Sequence, residues 1–330
     1  MKVIKFFAIT AMAAAMITSC SNEDELSQSN YPSDNIIRVT AGVNNAKTRA
    51  EGAGTEMKKD FSLTIVNKNA PKYTYTDKVF SKTSGDWACS ETLLWQKSDA
   101  LVDIVAFAPA QTGKFNGVYA NGSIQPIAYS VASDQSTDQS TSSANNDLLY
   151  YYAKDFNPGE SLDKGKLNIQ FNHAFCMIDI NVTLGTEFNK PDIPTTSPIT
   201  EVTLEGTKIE ANVNVTNAAN IVTASETATA AKIITTKGTF DKAANAETNA
   251  KSHFSCIAIP QTVGANTFKV SLKTAGKLYE WTSDKEITLQ SGYRYTLNLS
   301  MGNDVVLLKG GSITANPWTE ITSNKPLETE

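Results

Sequence analysis

Apolar and polar residues alternate in short bursts along most of this chain. Ile37, Val39, Ala41 and Val43 are separated by Arg38, Thr40 and Gly42, the period of two that gives a β-strand one apolar face. Further bursts cover Phe61 to Val66, Tyr73 to Phe80, Trp87 to Trp95, Leu101 to Phe107, Ile124 to Val131 and Leu148 to Ala153. Turn-forming residues separate them, among them Asn69 to Pro71, Ser84-Gly85-Asp86, Gly113 and Asn121-Gly122. The second half repeats the style at Val202 to Leu204, Ile209 to Val215, Ile233-Ile234, Phe254 to Ile259, Phe268 to Leu272, Leu278 to Trp281, Ile287 to Leu289 and Tyr293 to Met301. No segment longer than a turn sustains a helical period, so the pattern predicts an all-β protein.

Parity adds detail. Leu167, Ile169 and Phe171 are in phase on odd positions, whereas Ile178, Ile180, Val182 and Leu184 are in phase on even ones. A one-residue slip reverses the faces of a strand, so a bulge or turn is predicted between Asn172 and Phe175. Residues 185–198, GTEFNKPDIPTTSP, hold three prolines and few large apolar side chains, which suits a linker. About seven short strands then fall on either side of it, predicting two β-sandwich domains in series, 36–184 and 199–330. The polar stretches 44–59, 133–146, 216–231 and 241–252 read as loops.

Composition narrows the function. With 330 residues the chain is long enough for two cores. Its net charge of −5 and the lack of any Lys/Arg cluster exclude a nucleic-acid partner. Beyond Cys20 there are three cysteines, Cys89, Cys176 and Cys256, odd in number and far apart. They do not form a disulfide framework. Two readings stay open: buried thiols, which behave as small hydrophobes, or one disulfide with one free thiol.

Catalytic chemistry finds no support. The two histidines, His173 and His253, have no metal-ligand spacing, and there is no G-x-S-x-G elbow. The GAGT at 52–55 lacks the Lys-Ser/Thr ending of a phosphate loop. Asp147, Asp155, Glu160 and Asp163 are loop acids without a pairing signal. The expectation is therefore no catalytic residue, no metal and no cofactor. The Tyr150-Tyr151-Tyr152 run, with Trp87 and Trp95, suits either sugar stacking or core packing, because alternation sends Tyr151 to the face opposite its neighbours.

The N-terminus carries targeting information. Lys2 and Lys5 precede an apolar stretch from Phe6 to Ile17, too short to cross a bilayer. The order Ile17-Thr18-Ser19-Cys20 resembles the lipobox of bacterial lipoproteins, which implies removal of residues 1–19 and a lipid on Cys20. Two or three acyl chains hold a protein durably on a membrane. Residues 20–35 read as an acidic tether, and Glu23-Asp24-Glu25 resembles the surface-export signal of lipoproteins in anaerobes that make type V pili.

Several further stretches, taken in order, resemble the fimbrillin-like family of type V pilus subunits. They are TRA at 48–50, LLWQKSDALVDIVAFAPA at 93–110, DLLYYYA at 147–153, LNIQFNHAFCMIDINV at 167–182, SGYRYTLNLS at 291–300 and ITANPW at 313–318. The resemblance implies two transthyretin-like β-sandwich domains, export as an outer-membrane lipoprotein to the cell surface, loss of an N-terminal strand and polymerisation by strand exchange into a fimbrium. The chain would serve as structural subunit or tip adhesin. Its partners would be other pilin subunits in a homo- or hetero-polymer, the outer membrane through the lipid at Cys20 before processing, and a host or bacterial surface ligand. The Gly-rich loop around Arg49 suits a trypsin-like cut between Arg49 and Ala50. The strand lost would carry Ile37, Val39, Ala41 and Val43. The candidate donor is 305–315, VVLLKGGSITA, with Val305, Val306, Leu307, Leu308 and Ile313 as its apolar content. The competing class is a surface glycan-binding lipoprotein of a nutrient-uptake system, which has no use for a cleavable strand.

Overall fold

A computed structural model describes residues 30–44, 55–57, 59–110, 115, 118–137, 146–308 and 313–318. The chain is all-β. Its strands in the first half are β1 (Arg38–Val43), β2 (Thr55–Glu56), β3 (Phe61–Val66), β4 (Tyr75–Thr83), β5 (Asp86–Cys89), β6 (Val102–Ala108), β7 (Tyr119–Ala120), β8 (Ser123–Ile124), β9 (Ile127–Ser130), β10 (Leu149–Phe156) and β11 (Lys166–His173). There follow β12 (Cys176–Leu184), β13 (Ile199–Lys208), β14 (Glu210–Val213), β15 (Val222–Ala224), β16 (Ala230–Ile234), β17 (Thr236–Asp241), β18 (Lys251–Ala258), β19 (Thr262–Val263) and β20 (Lys269–Thr274). The last are β21 (Leu278–Thr282), β22 (Ile287–Thr288), β23 (Tyr293–Met301), β24 (Val306–Leu308) and β25 (Thr314–Pro317).

The first sheet runs β11-β10-β6-β3-β4-β5-β1-β2, and β1 also pairs with β11. The ring is therefore closed, with β2 attached outside it. Inside sits one core, which includes Phe61, Leu63, Ile104, Leu167, Ile169 and Phe171. The second half builds a larger core between the sheet β17-β18-β12-β23-β24, with β25 also on β23, and the sheet β16-β13-β20-β21. A third small sheet, β15-β14-β9, joins a strand of the first half to two of the second.

The expected linker at 185–198 is not where the chain passes between the cores. Ile178, Ile180, Val182 and Leu184 of β12 pack into the second core, whereas Leu167, Ile169 and Phe171 of β11 pack into the first. Phe115, Val118, Ile127, Tyr129, Val131 and Leu148 already pack into the second core, and the last passage into it lies at Ala174-Phe175, between β11 and β12. The parity change has this cause: the two odd and even sets never shared a sheet. The Pro-rich stretch follows β12 and holds a short helical turn, Thr186–Asn189.

Two strands serve both cores. On β6, Ile104, Ala106 and Ala108 face the first core while Val105 and Phe107 face the second, and every residue of the strand is buried. On β10, Tyr150 and Tyr152 pack against the second core and Tyr151 against the first. Trp87 and Trp95 are buried in the first core. These aromatics are thus packing residues, and the tyrosine run is split between two interiors.

Some expected loops contain strands. β15 and β16 fall within 216–231 and just beyond it, and β18 begins at Lys251. β15 and β16 are sheet edges, and Ile233 is their one buried side chain, so backbone pairing holds them with little apolar alternation to reveal them.

Candidate functional site

The sequence singles out the two ends of the folded chain, and the structure treats them differently. At the N-terminal end, Ile37, Val39 and Val43 are each no more than 6% exposed, while Ala41 is half-buried. Fully burying such a side chain stabilises by about 1.5 to 3 kcal/mol. They pack with Leu167, Ile169 and Phe171, and with Phe61, whose ring lies 5.4 Å from that of Phe171 and 4.9 Å from that of Trp87.

β1 lies parallel to β11 over six residue pairs, from Arg38 opposite Lys166 to Val43 opposite Phe171. By contrast β11 pairs with β10 only at Leu149–His173 and Tyr150–Asn172. On its other side β1 meets β5 at Val39–Trp87 and β2 at Gly42–Glu56 and Val43–Thr55. Most of the ladder of β11 therefore depends on β1. A lead-in fixes the register: Ile37 N donates to Leu93 O at 2.9 Å, Trp95 N to Asn35 O at 2.8 Å, and Asn44 N to Phe171 O at 2.7 Å. The Arg38 guanidinium grips both oxygens of Asp34 at 3.0 and 2.6 Å. Those bonds, joined by the Ile36 amide, hold the Asp34 carboxyl down at about 2.

At the C-terminal end, β24 and β25 both run antiparallel to β23. Leu308 lies opposite Leu299 and Thr314 opposite Thr296. Six steps on the terminal segment thus answer three on β23, so the two short strands are not in one continuous register. Val306 is buried, whereas Val305 and Leu307 are 50% and 58% exposed. All four residues of β25 are exposed, Ile313 is half-buried, and Trp318 just beyond is buried. Leu278, on the neighbouring edge strand β21, is 56% exposed.

Cys20, Arg49 and Ala50 lie outside the described residues. Cys176 and Cys256 are buried in the second core as free thiols, and desolvation pushes both well above the ordinary thiol value; Cys89 is half-buried and also free. The loop acids do not converge: Asp147 pairs with His173, and Asp155 lies near Lys68. His253 and Arg294 flank Asp179 at 3.4 and 3.2 Å on the outer face of the second sheet. Among the described residues no three His, Cys, Asp or Glu side chains are grouped to hold a metal.

Sequence reading missed one cluster. The indole of Trp318 stacks on the imidazole of His173, with centroids 3.7 Å apart and planes 12° from parallel. The signal was present in part, because His173 continues the inward odd phase of Leu167, Ile169 and Phe171.

Comparison with known proteins agrees with this architecture. The model of the fimbrillin-like family matches residues 48–318, and the chain belongs to that family. Its fold resembles a solved cell adhesion protein of Bacteroides ovatus, described as putative in that role, with a TM-score of 0.60 and 17% identity over 87% of this chain and 98% of that one. A similarly described protein of Bacteroides uniformis gives a TM-score of 0.54 and 15% identity over 87% of this chain and all of that one. No curated protein matches significantly.

Proposed function

We propose that this chain is a subunit of a surface pilus, exported as a lipoprotein through Cys20, cut between Arg49 and Ala50, and assembled by strand exchange between copies or with related subunits. The observation that carries the reading is the dependence of β11 on β1. Taking β1 away would leave six residues of β11 without that ladder partner and open the places of Ile37, Val39 and Val43 in the first core. Unpaired backbone groups and an apolar cleft together drive the capture of a replacement strand. The family match begins at residue 48, beside the proposed cut, and leaves β1 out. The donor would be the segment 305–315, whose resting place on β23 leaves Val305 and Leu307 largely uncovered. Within this reading the two cores correspond to two transthyretin-like sandwiches that share β6 and β10 as a wall, and the cell adhesion proteins of similar fold support a role at the cell surface.

Replacing Arg49→Ala in producing cells tests the scheme. Lipidated precursor should accumulate, and the ladder of polymers on an unboiled denaturing gel should vanish. An unchanged ladder without precursor overturns cleavage at this site as the trigger. Cys20→Ala should abolish palmitate labelling and membrane retention, and retained label would remove the lipid from the scheme.

A further inference from the structure

The C-terminal segment rests on its own subunit with few buried side chains. The four residues of β25 are exposed, and their backbone bonds to β23 lie at a wet sheet edge, where water replaces such bonds at small net cost. Trp318 is different: it is 6% exposed and belongs to the second core.

Its seat is assembled from three parts of the chain. His173, 4% exposed, ends β11 and presents its ring face to the indole. Asp147 orients that ring, its carboxylate oxygens 3.0 and 3.1 Å from His173 Nδ1. Ala174 N donates to Leu148 O at 2.8 Å, tying the two segments that carry the pair. Trp318 N donates to Gly292 O at 2.7 Å, and Gly292 N to Phe175 O at 2.9 Å. The seat therefore lies where the chain crosses from the first core to the second.

We propose that Trp318 on His173 is a clasp that keeps the C-terminal segment on its own subunit, and that opening it is the step that releases the segment to a second copy of this chain. Asp147 acts as a positioning residue, holding the imidazole flat against the indole. The proposal rests on the strand-exchange reading above, and names the contact that regulates it. The physical reason is a contrast within one segment. The ladder of β25 can be traded for water bond by bond, whereas withdrawing Trp318 exposes a large aromatic face and its seat in one step.

The test uses the full-length chain and two readouts. Amide hydrogen exchange of residues 314–316 reports the clasp without any polymer, and the rate at which the gel ladder grows after protease treatment reports release. Trp318→Ala should speed exchange at those amides at least tenfold and shorten the time to polymer. Trp318→Leu keeps apolar bulk without the ring stack and should give an intermediate effect, so the test survives if the alanine variant folds poorly. Leu307→Ser, which changes an exposed side chain on the same segment, should leave exchange at 314–316 unaltered. Unchanged exchange in both Trp318 variants overturns the clasp. Faster exchange with an unchanged rate of polymer growth overturns its control of release. If the unmodified chain forms no polymer after cleavage, strand exchange fails, and the exchange data still decide whether the clasp exists.

Discussion

The two terminal strands are opposites in how they are held. β1 is fixed by its side chains, three of them sunk in the first core, and by six pairings with β11. The C-terminal segment is fixed by short ladders on β23, by alternate residues of β24 and by Trp318. The first strand cannot leave without emptying three neighbouring places in its core, whereas the second gives up only Val306 and Trp318. The proposed strand exchange, which loses one strand and lends another, has these two requirements, and they fall at opposite ends of the described chain.

Mutations should expose the contrast. Ile37→Ala should cost about 2 to 5 kcal/mol, because it leaves a cavity against Leu93 and the first core. Its urea midpoint is the measurement, and a change as small as that of a surface substitution would dissolve the comparison. Val306→Ala should cost about 2 kcal/mol, since Val306 is 6% exposed. Its neighbour Leu307→Ala should stay within about 0.5 kcal/mol. Equal effects at 306 and 307 would mean that the segment is not seated one face down on β23.

Smaller effects sharpen the picture. In the native protein a thiol reagent at pH 8 should label neither Cys176 nor Cys256, because burial removes both access and thiolate. Both should react once the chain is unfolded, and half-buried Cys89 should be the native thiol that reacts first. The least effect concerns Asp34. Its folded carboxyl is depressed to about 2 from an ordinary 3.8, so what it contributes is present above about pH 4 and is lost as pH falls towards 2. Amide exchange at Ile36 and Arg38 should quicken over that window while exchange at Phe171 holds. As the Asp34–Arg38 pair is exposed to solvent, salt should weaken this effect.

Period two made β1, β11, β12 and β23 legible, because each has one face in a core. It failed at β6, where the alternation of Ile104 and Val105 is apolar on both sides: each face has a core of its own. It failed again at β15, whose edge position demands backbone pairing and little side-chain burial, and it caught only the Ile233-Ile234 end of β16. The linker at 185–198 was misplaced because prolines mark a break in regular structure without saying which sheet the preceding strand joins. Trp318 could be quoted from the sequence but not paired, since only the fold brings it to His173.

The wall shared by β6 and β10 has a mechanical consequence. In the proposed polymer, a pull applied between the filled N-terminal groove and the lent C-terminal segment would pass from the first core to the second. Because β6 and β10 carry side chains of both interiors on one backbone, the tension enters a sheet stiffened on both faces instead of a tether that can straighten. Such a unit would stretch little until whole ladders shear at once, which is the behaviour of a link in a chain rather than of a spring.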